Sequence, residues 1–500
     1  MQFKTLNSPA IWLAAALLAG CSTQSAYQRP ALEVPAQFKE ATPEAAEAGI
    51  WRPADPSRAQ VLPDNWWELF GDEQLNRLQQ QAATGNQSIA QAAARLRAAQ
   101  AAVASSQAGL FPTLGSTAGA TRSRSGGASG ASGTGGNTGN TGSSGNISTN
   151  YSLGLNASWE LDLWGRVSGT VSASQASAQA SSDDLAAARL SAQASITQTY
   201  FSLRAADASV RLLQETLQGY EQSLKLTNNR YRAGVASSAD VAQAEAQYKS
   251  TQAQLIEAQT SRAQLEHALA ALLGLPPAAF SLEAGAELPP PPEVPAMLSS
   301  QLLEQRPDIA AAERRVAAAN AQVGVARAAF FPALTLSATA GYRGASLSNL
   351  VSAPNLFWSL GPSLALALFD GGARTAAVES ARASLDLAAA TYRQTVLTAL
   401  QEVEDNLVTA SALAREQQVQ IEAVAAAQKA LDVVNNQYRA GTVAYLNVLS
   451  AQTTVLSARR SLIDVRNRRL AAVNTLLKNV AGRWQPLGPA SVQGPQAVAR

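Results

Sequence analysis

Residues able to make or break bonds are scarce in this 500-residue sequence. His267 is the only histidine and Cys21 the only cysteine, which removes His-based triads, the common metal clusters and any intrachain disulfide. His267 falls among Leu265, Leu269 and Leu272 and reads as a packed helix residue rather than a ligand. No Gly-rich phosphate loop ends in Lys-Ser or Lys-Thr, so energy from a nucleotide has to come from a partner. No enzyme activity, cofactor or metal is expected. A net charge of +2 without a basic tract or aromatic ladder gives no reason to expect a nucleic acid partner either. What remains is a set of small polar and acidic side chains at regular spacing: Ser152, Asn156, Ser158 and Glu160 in one stretch, Ser359 and Ser363 in another. Rows of this kind do no covalent chemistry. They hold water.

The element that spaces them is a β-strand. In residues 151–162 the odd positions are Tyr151, Leu153, Leu155, Ala157, Trp159 and Leu161, and the even ones are Ser152, Gly154, Asn156, Ser158, Glu160 and Asp162. Period-two alternation gives one oily and one wet face. The length, roughly ten residues, is also that of a tilted strand crossing a bilayer. Alone, the stretch would read as a half-buried strand of a soluble sandwich. Residues 358–369 and 334–343 repeat the pattern, and 113–121 does so more weakly. These make two hairpins, 113–162 and 334–369. The even positions of the second strand, with Ser359 and Ser363, would line a water-filled lumen, and Trp159 and Trp358 would face lipid near an interface. Four strands cannot close a barrel, yet every backbone edge inside lipid must be paired, so a membrane location requires the chain to oligomerise.

The rest of the chain is mainly helical. Residues 1–20 form a targeting segment, with Lys4 and then an apolar run over 11–18. Its end, Leu18-Ala19-Gly20-Cys21, looks like a bacterial lipobox. That resemblance implies cleavage before Cys21 and a covalent lipid, a diacylglycerol, on its thiol; Ser22 in place of Asp is associated with outer-membrane delivery. A Pro-rich extended lead occupies 21–73. Residues 74–285 hold a helix over 74–107, the first hairpin, one long helix over 165–229, a turn, and a helix from Ser237 or Ser238 to Leu273. Sixty-odd residues at ~1.5 Å each give roughly 90 Å of helix. Residues 125–146 are nearly all Gly, Ser, Thr, Asn and Ala and read as a long flexible loop. A Pro-rich linker, 286–297, precedes residues 298–484, and 485–500 reads as a disordered tail. Outside the N-terminus no apolar run is long enough for a transmembrane helix.

The second half repeats the first. Phe111-Pro112 is answered by Phe331-Pro332, 220 positions on, and Asn228-Asn229-Arg230-Tyr231-Arg232-Ala233-Gly234 by Asn435-Asn436-Gln437-Tyr438-Arg439-Ala440-Gly441, 207 positions on. The longer first loop accounts for the difference, and the chain is an internal duplication. In the last helix Val448/Leu449, Val455/Leu456, Leu462/Ile463, Leu470 and Leu476/Leu477 recur with a heptad period, the seam of a left-handed coiled coil.

The duplication, the lipobox, residues 65–70, both Tyr-Arg-Ala-Gly turns and Leu368-Phe369-Asp370-Gly371-Gly372 resemble the outer-membrane factor family of TolC and OprM, in its lipid-anchored efflux branch. The resemblance runs from about Tyr27 to Trp484. It implies a mainly α, mixed α/β membrane protein: a long coiled-coil helical barrel, plus four strands per chain toward a twelve-stranded barrel in a homotrimer. It further implies an exit duct across the bacterial outer membrane for a tripartite efflux pump. The expected partners are a periplasmic membrane-fusion adaptor, an inner-membrane transporter of the resistance-nodulation-division class, and outer-membrane lipid.

The same resemblance suggests site residues. A gate at the two turns would involve Asp240, Tyr438 and Ser450, with a hydrogen bond between Asp240 and Tyr438. Ser450 matches the position of an Asp ring in relatives, and Val443 an Arg, so a selectivity ring and a salt-bridge latch are not expected there. Tyr445, Leu446 and Leu449 would shape the constriction, and Arg232, Gly234, Arg439 and Gly441 the adaptor-docking tip. Two other readings compete: the outer-membrane conduit of a type I protein secretion system, and a trimeric surface adhesin. Adhesins place their strands once, at the C-terminal end, whereas here they occur twice between helices. A periplasmic lipoprotein enzyme would need a titratable cluster that the sequence lacks.

Overall fold

The computed structural model describes residues 26–31, 38–39, 51–53, 65–124, 147–285, 288–292, 294–296 and 306–480. Cys21, the 125–146 loop and the 485–500 tail lie outside them. In chain order the elements are β1 (Trp51–Pro53), α1 (Glu73–Gly85), α2 (Gln87–Ala108), β2 (Thr113–Arg124), β3 (Ile147–Leu161), α3 (Arg166–Arg232) and α4 (Ser238–Leu272). Next come β4 (Val294–Ala296), α5 (Pro307–Ala328), β5 (Ala333–Gly344), β6 (Leu356–Ala365), α6 (Ala373–Arg439) and α7 (Tyr445–Val480). The chain falls into two compact units. One comprises Met1–Arg29, Ala98–Ala178 and Arg315–Ala388, and the other Pro30–Arg97, Gln179–Arg314 and Ala389–Arg500.

The first unit contains a four-stranded antiparallel sheet in the order β2-β3-β5-β6. Both hairpins expected from alternation form, and the registers keep the two faces apart. Leu153 pairs with Ala118 and Tyr342, and Leu155 with Ser116 and Ala340, on one face; Asn156 pairs with Gly115 and Thr339, and Ser158 with Thr113 and Ser337, on the other. The strand ends depart from the pattern. Strand β2 runs to Arg124 and β3 starts at Ile147, beyond the alternating core, while β6 stops at Ala365 instead of reaching Phe369.

In the second unit Trp66, Leu75, Leu78, Ile196, Tyr200, Phe201 and Leu203 are fully buried. The aromatic lead over 65–70 forms a 3-10 turn whose Phe70 ring lies 4.8 Å from that of Phe201. Trp66 Nε1 donates to Gln193 Oε1, and Gln79 Nε2 donates to the Gln193 carbonyl and to Thr197 Oγ1 at 2.8 and 2.9 Å. Asp72 caps α1 by accepting from the amides of Gln74 and Leu75, and it also accepts from the Tyr200 hydroxyl at 2.6 Å. The single helix expected over 74–107 is two helices. Asn86 breaks it, accepting from the amides of Ser88 and Ile89 while donating to the Leu272 carbonyl at 2.6 Å. The extended lead and the Pro-rich linker are less irregular than expected, since β1 and β4 pair as a short parallel ribbon.

Asp207 is buried and holds the chain leaving α4. It accepts from Arg204 at 3.2 Å, from Arg262 at 3.0 Å and from the Gly285 amide at 3.0 Å, while Arg204 also donates to the Glu283 carbonyl at 2.7 Å. The heptad seam of α7 is buried at Val448, Val455, Leu456, Leu470, Leu476 and Leu477. Leu456 packs with Leu212 and Leu213 of α3, and Val465 with Ala410 and Leu413 of α6. His267 is exposed on α4, not packed among the leucines beside it in sequence.

Candidate functional site

Two regions carry the functional side chains, and the sheet is the first. Asn156, Ser158, Ser359 and Ser363 are exposed on its polar face, and Ser152 and Glu160 are half-buried there. Ser359 is within 2.7 Å of Thr339 through the two hydroxyls. Glu160 is not a free carboxylate: Arg166 grips it through Nε at 2.7 Å and Nη2 at 2.6 Å, a two-pronged ion pair at the foot of the sheet. The opposite face is apolar and open. Leu114, Leu155, Leu360 and Leu364 are all more than half exposed, and Trp358 is 75% exposed. A row of exposed apolar side chains on one face marks a surface that meets lipid or another protein.

The second region is the pair of helix turns in the helical unit. Helix α3 ends in a Schellman turn: Gly234 N donates to the Tyr231 carbonyl and Val235 N to that of Arg230, with Gly234 at φ +75°. Helix α6 ends identically, with Gly441 N on Tyr438, Thr442 N on Gln437, and Gly441 at φ +78°. Arg232, Gly234, Arg439 and Gly441 are all exposed at these tips.

The two turns lead into helices that start differently. Ser237 and Asp240 form a reciprocal capping box at the start of α4, the Asp240 amide donating to Ser237 Oγ at 3.1 Å and the Ser237 amide to Asp240 Oδ2 at 3.0 Å. The corresponding positions before and within α7 are Ala444 and Asn447, which cannot build that box. The Asp240–Tyr438 bond does not form in this chain. Asp240 is occupied by its own helix cap, and the Tyr438 hydroxyl is buried without a hydrogen-bond partner.

Tyr438 is held by Arg230. The guanidinium lies 4.6 Å from the ring centroid and Nη1 donates to the Tyr438 carbonyl at 3.0 Å. The Tyr438 ring also meets that of Tyr445 at 5.7 Å, within a cluster that includes Ala244 and Val448. Burial pushes the Tyr445 phenol above its ordinary pKa, and the nearby Tyr438 and Asp240 add to the effect. Of the constriction candidates, Tyr445 is therefore inside the packing, Leu449 is half-buried and Leu446 is exposed, as is the gate candidate Ser450. Arg230 is the residue that sequence reasoning overlooked. One signal pointed to it: between the duplicated seven-residue turns, Arg230 against Gln437 is the only difference.

Among the described residues no group of His, Cys, Asp and Glu is arranged to hold a metal, and no helix is long and apolar enough to cross a membrane. The sheet offers a lipid-compatible face backed by a wet one, and the helix turns offer charged, backbone-rich tips. Residues 78–275 and 298–482 match the family model described as outer membrane efflux protein. The chain is similar to the toluene efflux pump outer membrane protein TtgC of Pseudomonas putida, 32% identical over 483 residues and covering 96% of each chain. It is similar to the pyoverdine export outer membrane protein OpmQ of Pseudomonas aeruginosa, 33% identical, covering 84% of this chain and 87% of that one. Among solved structures, the outer-membrane channel OprN superposes with a TM-score of 0.81 at 30% identity, over 93% of this chain and 100% of that chain. The chain belongs to the outer membrane efflux protein family and is an outer-membrane efflux channel.

Proposed function

We propose that three copies of the chain close a twelve-stranded barrel in the outer membrane and that their helices line a passive exit conduit for small molecules. The observation that carries this reading is the sheet itself: apolar on one face, polar on the other, with β2 and β6 left as edges. Lipid offers no hydrogen bonds to those edges, so another copy must. Two copies would give eight strands, a barrel whose interior is filled by side chains; twelve leave room for a passage. The serines and Asn156 of the polar face then line its water.

Transport energy comes from partners. A periplasmic adaptor docks at the tips around Arg232, Gly234, Arg439 and Gly441, and connects the duct to an inner-membrane transporter of the resistance-nodulation-division class. Relatives of near-equal similarity are named for toluene and for pyoverdine, which supports selection of cargo upstream of the duct. At the turns, exposed Leu446 and Ser450 narrow the passage. A diacylglycerol on Cys21 anchors the mature chain.

The test is direct. Native mass of the detergent-extracted protein should be that of three chains, planar bilayers should show discrete conductance steps, and intact mass should carry lipid on Cys21. A monomer without conductance rejects the duct. Arg232→Glu with Arg439→Glu should abolish co-purification of the adaptor while leaving the trimer intact.

A further inference from the structure

Helices α3, α6 and α7 border a cavity of about 150 Å³ that the sheet and the turns do not account for. Its apolar wall is the buried ring of Tyr220 with Leu431, Val455 and Leu456. Three polar side chains share the lining: Glu215 from α3, and Gln452 and Arg459 from α7. Gln452 and Arg459 are two helical turns apart on one face, with Val455 and Leu456 between them.

The bonding of these three groups is incomplete. Gln452 Oε1 is buried and receives no hydrogen bond, although buried polar atoms are almost always partnered. Arg459 donates through Nη2 to the neutral Gln428 Oε1 at 2.9 Å, and among the described residues it meets no carboxylate. Glu215 is exposed at the border of the same space and makes no ion pair among the described residues. Two opposite charges that border one cavity without joining suit a group that carries both.

Gly219 is a further sign of reserved space. It lies inside α3, where alanine would favour the helix more. Among the described residues nothing lies within 4 Å of where its Cβ would sit, so no close neighbour excludes a side chain. The arrangement is also particular to this place. At the 207-residue offset Gly219 is answered by Ala426 and Tyr220 by Ala427, while Gln452 answers Glu245 and Arg459 answers Gln252.

We propose that this cavity binds a zwitterionic α-amino acid whose aromatic side chain ends in a hydrogen-bond donor. A space of this size takes a single ring, whereas a drug-sized molecule needs ~300 Å³ or more. The ring lies against Tyr220, Leu431, Val455 and Leu456, and its donor satisfies Gln452 Oε1. The carboxylate accepts from Arg459 and the ammonium donates to Glu215, both as charge-assisted bonds. Such a ligand touches the long helix of the first copy and the helix pair of the second, so occupancy ties the two copies together.

Equilibrium dialysis of labelled L-tyrosine against the full chain in detergent tests the site. Saturable binding is expected, with a single site per chain. L-Phenylalanine, tyramine and 3-(4-hydroxyphenyl)propionate each lack one of the three polar groups and should bind on the order of tenfold more weakly. Gly219→Leu fills the open space with a better helix former, so it should raise the thermal midpoint and abolish binding. Arg459→Gln and Glu215→Gln should each weaken L-tyrosine, and Glu215→Gln should leave the propionate unchanged. Absence of saturable L-tyrosine binding overturns the proposal, as does binding that survives in a folded Gly219→Leu chain. Equal binding of all four compounds overturns the zwitterion and its donor.

Discussion

Arg230 lies over the Tyr438 ring, 4.6 Å from its centroid, and donates to the Tyr438 carbonyl, the same oxygen that accepts from the Gly441 amide. One side chain from the first turn thus reinforces the cap of the second. Its duplicate position holds Gln437, which is shorter by two bonds and has neither charge nor the flat cation needed to cover a ring. Arg230→Gln should cost about 1–3 kcal/mol locally, from a lost cation–π contact and a weakened charge-assisted bond. Hydrogen exchange at the Gly441 and Thr442 amides should speed up, and single-channel conductance should rise. If both measurements match the parent, Arg230 is not restraining this end.

Both turn glycines occupy left-handed backbone, with no atom within 4 Å of where a Cβ would sit. Alanine there meets strain of the backbone alone, about 1–2 kcal/mol, and asparagine less. Gly441→Ala should lower thermal stability more than Gly441→Asn, and each should leave native mass at three chains. Gly441→Pro is of a different order, because it removes the amide bonded to Tyr438 as well as forbidding the conformation. It should abolish efflux-dependent resistance; an unaffected susceptibility panel would show that the turn tolerates rebuilding.

Alkaline pH should loosen the helical unit through Tyr200. Burial, with the Asp72 carboxylate beside the hydroxyl, pushes its phenol up to about 12. A folded pKa above the unfolded value means that the contribution is intact below pH ~10 and lost as pH rises toward ~12, about 2–3 kcal/mol in all. Tyr200→Phe should flatten that part of the stability–pH curve while lowering stability at neutral pH, since Asp72 loses its buried donor. A steep fall persisting in Tyr200→Phe would assign the alkaline transition to another group.

Much of this fold was readable from residue types because its elements are long and their periods uninterrupted. The proline-free run expected as a helix over 165–229 is Arg166–Arg232, and the alternating stretches pair as two hairpins. What escaped was set by partners distant in sequence. Asn86 ends α1 by bonding a carbonyl at Leu272, which no local pattern announces. The helix carrying His267 is rich in Ala and Gln on every side, so its buried face could not be chosen from hydrophobicity. The partner of Asp240 within the chain was missed for the opposite reason. The Ser237–Asp240 capping box is a local Ser-x-x-Asp signal, and a nearby cap outcompetes a distant tyrosine for the same carboxylate.

Asp207 makes the sharpest stability prediction. Its side chain is 2% exposed and neutralises Arg204 and Arg262 together. Asp207→Asn preserves shape but removes the carboxylate paired with Arg204 and leaves Arg262 with Glu266 alone, which should cost about 3 kcal/mol. The first segment to open should be the one after α4, where Asp207 binds the Gly285 amide and Arg204 the Glu283 carbonyl. Limited proteolysis should cut near 283–285 in the variant; unchanged protection would place the anchor of that segment elsewhere.

The two turns of the duplicated halves are not interchangeable. The first leads into a helix fastened by the Ser237–Asp240 box; the second enters α7 through Ala444 and Asn447, without that box, and is gripped instead by Arg230 from the first turn. A chain built from two copies of either half would keep a hairpin pair and lose that asymmetry.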